Sequence, residues 1–322
     1  MKEFPILFGP GDALMGVVTS PADGPSVPVA CVLYNMGATY RAGPRRINVK
    51  IARQMARLGF TSIRFDLSGL GDSAPPVDPK GFMAQSALDL QAAMNTVETV
   101  LGIRRFIVIG FCSGAVNGLA VAQLDPRVIG LLMFDGFSFP TGRVLKERNL
   151  RRLLALPFNP AVREKTMRWL RRKVNAQAPD IFSYEAADAG MERYREAVTR
   201  LLERGTAVLA LYSGTLQAHD RGRDQLSLLG DAQLLQRIDY RFVADIDHTL
   251  TTVASQRIFL QLLGDWAVAL AAPGPAAGGD PGASTAQRAA NMPPLVRQHR
   301  SAPDAADAPA AMSMSGAPLR SG

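Results

Sequence analysis

"VIGFCSGAV", running from Val108 to Val116, is the stretch on which the reading of this chain turns. Val108, Ile109 and Phe111 read as the end of a buried strand, and Gly114, Ala115 and Val116 open a run of small residues suited to a helix lying close against a sheet. A strand that turns sharply into a helix under the pattern Gly-x-nucleophile-x-Gly presents one side chain at the carboxyl edge of the sheet. The glycines relieve clashes around a strained backbone. In "GFCSG" the central residue is Cys112. Ser113 follows at the helix start, where its backbone N–H can face a developing oxyanion. A Ser113 nucleophile would need Phe111 and Ala115 as its flanks, which breaks the glycine frame, so the pattern favours Cys112.

Outward from this elbow, short apolar runs alternate with helical patterns, which predicts an α/β architecture with helices on both sides of a largely parallel sheet. Eight strands are expected at "FPILFG", "LMGVVTS", "VPVACVLYN", "FTSIRFD", "RRFIVIGF", "RVIGLLMFD", "TAVLALYSG" and "DYRFVAD". Helices are expected at about Pro44 to Leu58, Met83 to Leu101, Ser113 to Gln123 and Thr252 to Ala271. Between 136 and 205 no strand interrupts a charged, helically periodic stretch, read as a helical cap inserted after the sixth strand into a core formed by 1–135 and 206–272. From 273 to 322 Ala, Pro, Gly and Ser dominate, a composition that does not offset the entropy of ordering, so a disordered tail is expected.

The third strand ends in "YNMGATYRAG", a glycine-containing turn where Gly37 or Ala38 N–H can supply a second oxyanion donor, and the fourth ends in the polar turn "RFDLSGLGDS". With "GFCSGA" and "DHTL", these turns resemble the α/β-hydrolase superfamily over roughly 3 to 270. They look most like the small hydrolases encoded beside exosortase and similar biosynthetic loci, several of which carry Cys in the elbow, as do dienelactone hydrolases and polyhydroxyalkanoate synthases. The resemblance implies a Cys-His-acid triad and acyl chemistry with no cofactor, and it implies no substrate.

An unperturbed thiol is only about 3% thiolate at pH 7, so Cys112 requires an imidazole and a helix N-terminus to activate it. Of three histidines, His299 falls in the expected tail and His219 in the loop after the seventh strand. His248 follows the eighth strand, where the hydrolase fold delivers its base; the alternative is a solvated loop histidine. The acid has two candidates. The family's usual place, just after the seventh strand, holds Thr215, Leu216 and Gln217, so Asp220 must reach back from later in that loop. Asp135 at the tip of the sixth strand is the rival; rigid placement favours it, and the bland alternative is a turn cap. Asp247 is expected to point away and Asp66 to brace its own turn.

The remaining composition mostly excludes. The net charge of +8 arises locally, because from 143 to 173 eleven Lys and Arg stand against Glu147 and Glu164. No nucleic-acid motif accompanies them; the basic element fits either a solvated lid or a face for an anion, whether coenzyme A, an acidic acyl carrier protein or a membrane surface. Cys31 lies in an apolar run and reads as a buried small hydrophobe, and two cysteines make neither a disulfide framework nor a zinc site. No transmembrane or secretory segment is evident, so a cytoplasmic protein is expected. Three functions fit: an ester or thioester hydrolase, an acyltransferase or cyclase using the same site, and a silent scaffold of the same fold.

Overall fold

The computed structural model describes residues 1–78, 80–155, 187–216 and 219–272, together with Glu164. Eight strands form one sheet: β1 (Lys2–Phe8), β2 (Leu14–Ser20), β3 (Ala30–Leu33), β4 (Thr61–Phe65), β5 (Phe106–Phe111), β6 (Val128–Phe134), β7 (Ala207–Ser213) and β8 (Asp239–Val243). Their order is β1-β2-β4-β3-β5-β6-β7-β8, with β1 and β2 antiparallel to their neighbours and the other pairs parallel. All eight expected strands are present, each within a few residues of the run that suggested it.

The helices are α1 (Ile47–Arg57), α2 (Phe82–Leu101), α3 (Gly114–Leu124), α4 (Gly142–Ala155), α5 (Ala187–Glu203), α6 (Ala232–Arg237) and α7 (Val253–Ala271). Alternation along each strand divides the core between the two faces of the sheet. Val32, Val108, Leu131, Met133 and Ala210 pack with Leu90 and Met94 of α2, Leu119 of α3 and Val198 and Leu201 of α5. On the opposite face Leu33, Ile107, Ile109, Leu132 and Leu211 pack with Ile51 and Met55 of α1 and Phe259, Leu263 and Trp266 of α7. Cys31 belongs to this second cluster, fully buried, and burial pushes its thiol up to about 12. It is the inert apolar residue its context suggested.

Two described helices fall within 136–205. Of these, α5 lies on the sheet, contributing buried Tyr194, Ala197, Val198, Leu201 and Leu202 to the first cluster. The segment expected as a cap therefore ends in a helix of the sheet's own outer layer. Six of the eleven basic residues between 143 and 173, Arg168, Arg171 and Arg172 among them, lie outside the described residues together with Trp169, as does the expected tail from 273 to 322. Among the described residues no helix is long and apolar enough to cross a membrane.

The order reverses at β3, with β4 on one side and β5 on the other, so the carboxyl ends of β3 and β5 flank the crevice of a topological switch point. The walls of that crevice are tied together by Asp66, which follows β4. Its buried carboxylate accepts from Asn35 Nδ2 at 2.9 Å and from the backbone N–H groups of Arg41 at 2.6 Å and Asp72 at 3.2 Å. The guanidinium of Arg41 pairs with it as well. Gly71 admits this cluster: its φ is +52°, and a Cβ there would stand 2.4 Å from Asp66 Cγ. Gly71→Ala is therefore expected to cost about 2 kcal/mol or more, read as a lower urea midpoint; an unchanged midpoint would refute the clamp.

Candidate active site

The ladder register brings the site together. Phe111 of β5 pairs with Phe134 of β6, and Phe134 with Leu211 of β7, so the residues that follow, Cys112, Asp135 and Tyr212, stand level at the carboxyl edge. Two bonds extend the ladder past the strands: Cys112 N–H donates to Phe134 O at 2.8 Å and Asp135 N–H to Leu211 O at 2.9 Å.

At the elbow Cys112 adopts φ +51°, in the left-handed region that costs a non-glycine residue about 1–3 kcal/mol. The turn is held by close packing of glycines. A Cβ on Gly110 would lie 2.7 Å from Ala115 Cα, and one on Gly136 2.3 Å from Ala115 Cβ. Tyr34, at the end of β3, donates to Gly114 O at 2.6 Å and so locks the start of α3 against the neighbouring strand. Cys112 is half-buried, whereas Ser113 turns its hydroxyl toward the β3 turn, where it accepts from Gly37 N–H at 3.1 Å. The two turns named as oxyanion donors thus touch across the crevice, with exposed Ala38 one residue further on.

His248 lies after β8 and reaches back over β6, its ring stacked 6.3 Å from that of Phe134 at an interplanar angle of 18°. Its Nδ1 is 2.9 Å from Asp135 Oδ2. The Cys112 thiol is its other hydrogen-bond partner, which leaves Nε2 for the sulfur. The loop is fixed by His248 N–H donating to Thr215 Oγ1 at 2.9 Å. Asp135 itself has a fully buried side chain and φ +48°. Its carboxylate also accepts from Ser213 N–H at 2.8 Å and Ser213 Oγ at 2.6 Å.

Asp220 stands elsewhere. One of its carboxylate oxygens accepts from the backbone N–H groups of Gly222 and Arg223, at 3.0 and 2.8 Å, and the other from the Tyr240 hydroxyl. It caps its own turn, and the structure does not bring it to His248, whose ring meets Asp135 instead. Asp247 likewise accepts from the backbone and hydroxyls of Thr249 and Thr251. His219 is exposed. Sequence reasoning passed over Ser213, the last residue of β7, and gave Thr215 just after it no role; their polarity at a strand tip was the available signal.

Charge follows from these contacts. The Asp135 hydrogen bond, then that of Cys112, lift the His248 imidazole to about 10, against a smaller burial effect. The imidazole in turn draws the Cys112 thiol below its ordinary range despite desolvation, with help from Ser113 N–H. Both shifts favour a thiolate–imidazolium pair at neutral pH. Among the described residues no group of His, Cys, Asp and Glu is arranged to hold a metal ion.

With Cys112, His248 and Asp135 standing on the carboxyl edge of an eight-stranded sheet, the architecture is recognisable. The chain has the α/β-hydrolase fold. A family model described as the alpha/beta hydrolase fold matches residues 40–156. A protein of unknown function from Agrobacterium tumefaciens, described as of the alpha/beta hydrolase kind, is similar over 83% of this chain and 95% of its own, at 16% identity and a TM-score of 0.50. Est1E from Butyrivibrio proteoclasticus is similar over 84% of this chain and 99% of its own, at 10% identity and a TM-score of 0.51. At these identities the likeness is one of hydrolase fold. No curated protein matches the chain.

Alkylation by iodoacetamide reads the pairing at the hydrolase-fold elbow directly. The rate at Cys112 is expected to reach half its maximum below the pH of a free thiol, and His248→Ala to move that midpoint upward; a wild-type midpoint at or above the free-thiol value would contradict the contact. The contact of His248 with Asp135 stabilises the fold. Because the folded value of His248 is raised from 6.5, this contribution is complete below about pH 6.5 and is lost as pH rises through about 10.

Proposed function

We propose that the protein is an acyl hydrolase that cleaves an ester or thioester through an acyl-Cys intermediate. The observation that carries this reading is the unbroken contact from the Cys112 thiol through His248 to the buried Asp135 carboxylate, three groups presented at one sheet edge. In this reading Cys112 Sγ, as thiolate, attacks the substrate carbonyl carbon and forms an S–C bond. The carbonyl oxygen takes up the negative charge, facing the N–H groups of Ser113 and of Gly37 or Ala38 at the end of β3. Collapse breaks the bond to the leaving group, which takes its proton from the His248 imidazolium. Water then attacks the acyl-Cys carbon with neutral His248 accepting its proton, and the acid departs as the thiolate returns. Asp135 holds the ring by Nδ1 and stabilises the imidazolium without itself taking the proton.

Placing the acid on β6 has a physical advantage. Asp135 is fixed by the ladder and by its own burial, so the orientation of His248 does not depend on a long loop. The basic run between 143 and 173 suits an acyl group delivered on an anionic carrier such as coenzyme A or an acidic carrier protein, whose binding weakens as salt is added.

Initial rates on p-nitrophenyl and acyl-thioester substrates test the assignment. Cys112→Ala is expected to fall to background, Asp135→Asn by about 10⁴-fold, and Asp220→Asn to stay within a few-fold of wild type. Loss at Asp220 with activity kept at Asp135 would reverse the choice of acid, and full activity in Cys112→Ala would remove the nucleophile.

A further inference from the structure

Ser213, at the tip of β7, is fully buried and takes no part in the bond-making steps above. Its contacts are nonetheless aimed at them. The backbone N–H donates to Asp135 Oδ1 at 2.8 Å and the hydroxyl to Asp135 Oδ2 at 2.6 Å, so residue and carboxylate form a closed two-point clasp. Oδ2 is also the oxygen facing His248 Nδ1, at 2.9 Å, and therefore receives two donors at once. The serine oxygen in turn accepts from Thr215 N–H at 3.3 Å, and Thr215 Oγ1 accepts from the backbone N–H of His248. A chain of contacts thus runs from the carboxylate through β7 to the loop that carries the imidazole.

We propose that Ser213 is a positioning residue of this site, acting through Asp135: its hydroxyl takes up part of the charge on Oδ2, the oxygen that faces Nδ1, and so sets how much of that charge His248 receives. The inference rests on the Cys112–His248–Asp135 reading, yet it concerns only the last two members. A buried carboxylate requires hydrogen-bond donors, and Ser213 supplies two of the three described here.

Among the described residues, the titratable groups packed around the pair are few. Cys112 faces His248 from the β5 elbow, and Tyr212 lies beside Asp135 on β7 with its hydroxyl raised by burial and donated to Phe137 O at 2.7 Å. Asp247, on the same loop as His248, is engaged by Thr249 and Thr251. Neither Tyr212 nor Asp247 is free to replace the serine.

The two roles a buried serine can play move His248 in opposite directions. Where the hydroxyl draws off carboxylate charge, its removal leaves more for the imidazolium and the His248 midpoint rises. Where it is only packing, its removal leaves the midpoint unmoved, or loosens the contact and lets it fall toward the ordinary 6.5. The experiment is an NMR titration of the His248 ring protons, assigned with His248→Gln, in full-length protein carrying Cys112→Ala so that the thiol does not contribute. Ser213→Ala is expected to raise the midpoint by about one unit, and Ser213→Thr, which keeps the hydroxyl, to bring it back toward the parent. Should the alanine variant not fold, Ser213→Cys, a near-isostere and weaker donor, is expected to give a smaller rise. A midpoint that stays or falls in the folded variant overturns the proposal. Because the thiol is absent throughout, this result is separate from whether Cys112 is the nucleophile, which the rates of Cys112→Ala decide.

Discussion

A carboxylate with no exposed surface, met by three hydrogen-bond donors, is the constraint around which this site is built. Asp135 sits one residue beyond β6 in a left-handed conformation, and its neighbours are determined by the parallel register of β5, β6 and β7. Burying an ion without partners costs several kcal/mol or more, so the contacts of Ser213 and His248 are requirements of the fold as much as of the chemistry. That is why an imidazole borne on a loop can be held as firmly as one borne on a strand. The loop after β8 need only close onto a fixed point.

The elbow imposes the second constraint. Cys112 is strained, and the strain is sustained by glycines at Gly110, Gly114 and Gly136, where side chains would overlap α3 or the end of β3. Tyr34 and the Asp66 cluster extend the same rigidity to the turn that carries Gly37. In the proposed reaction that turn faces the substrate carbonyl oxygen, and donors fixed in advance are those that lower a barrier most.

The sequence made the strands and the elbow legible because both are local signals. Apolar runs of strand length, glycines at fixed spacing and a cysteine at their centre need no knowledge of distant partners. His248 was legible through scarcity and through its place in chain order. The acid was not resolved to one residue, since Asp135 and Asp220 both follow strands and only their partners distinguish them. Asp220 spends its oxygens on Gly222, Arg223 and Tyr240, while Asp135 meets a histidine 113 residues away. Ser213 escaped notice for the same reason: a serine at a strand tip carries no mark of the carboxylate 78 residues earlier that it grips. Helix α5 was absorbed into the expected cap because its charges suggested a lid, although its buried face, with Tyr194, Val198 and Leu201, belongs to the sheet.

The central claim is that Cys112, activated through His248 and Asp135, forms a covalent bond to the acyl group. Mixing the protein with an acyl thioester, quenching in acid within a single turnover and mapping the peptides by mass tests it most directly. The account predicts the acyl mass on Cys112, with none in His248→Ala; an adduct on Ser113, or consumption of substrate with no adduct on Cys112 at any time, would contradict it.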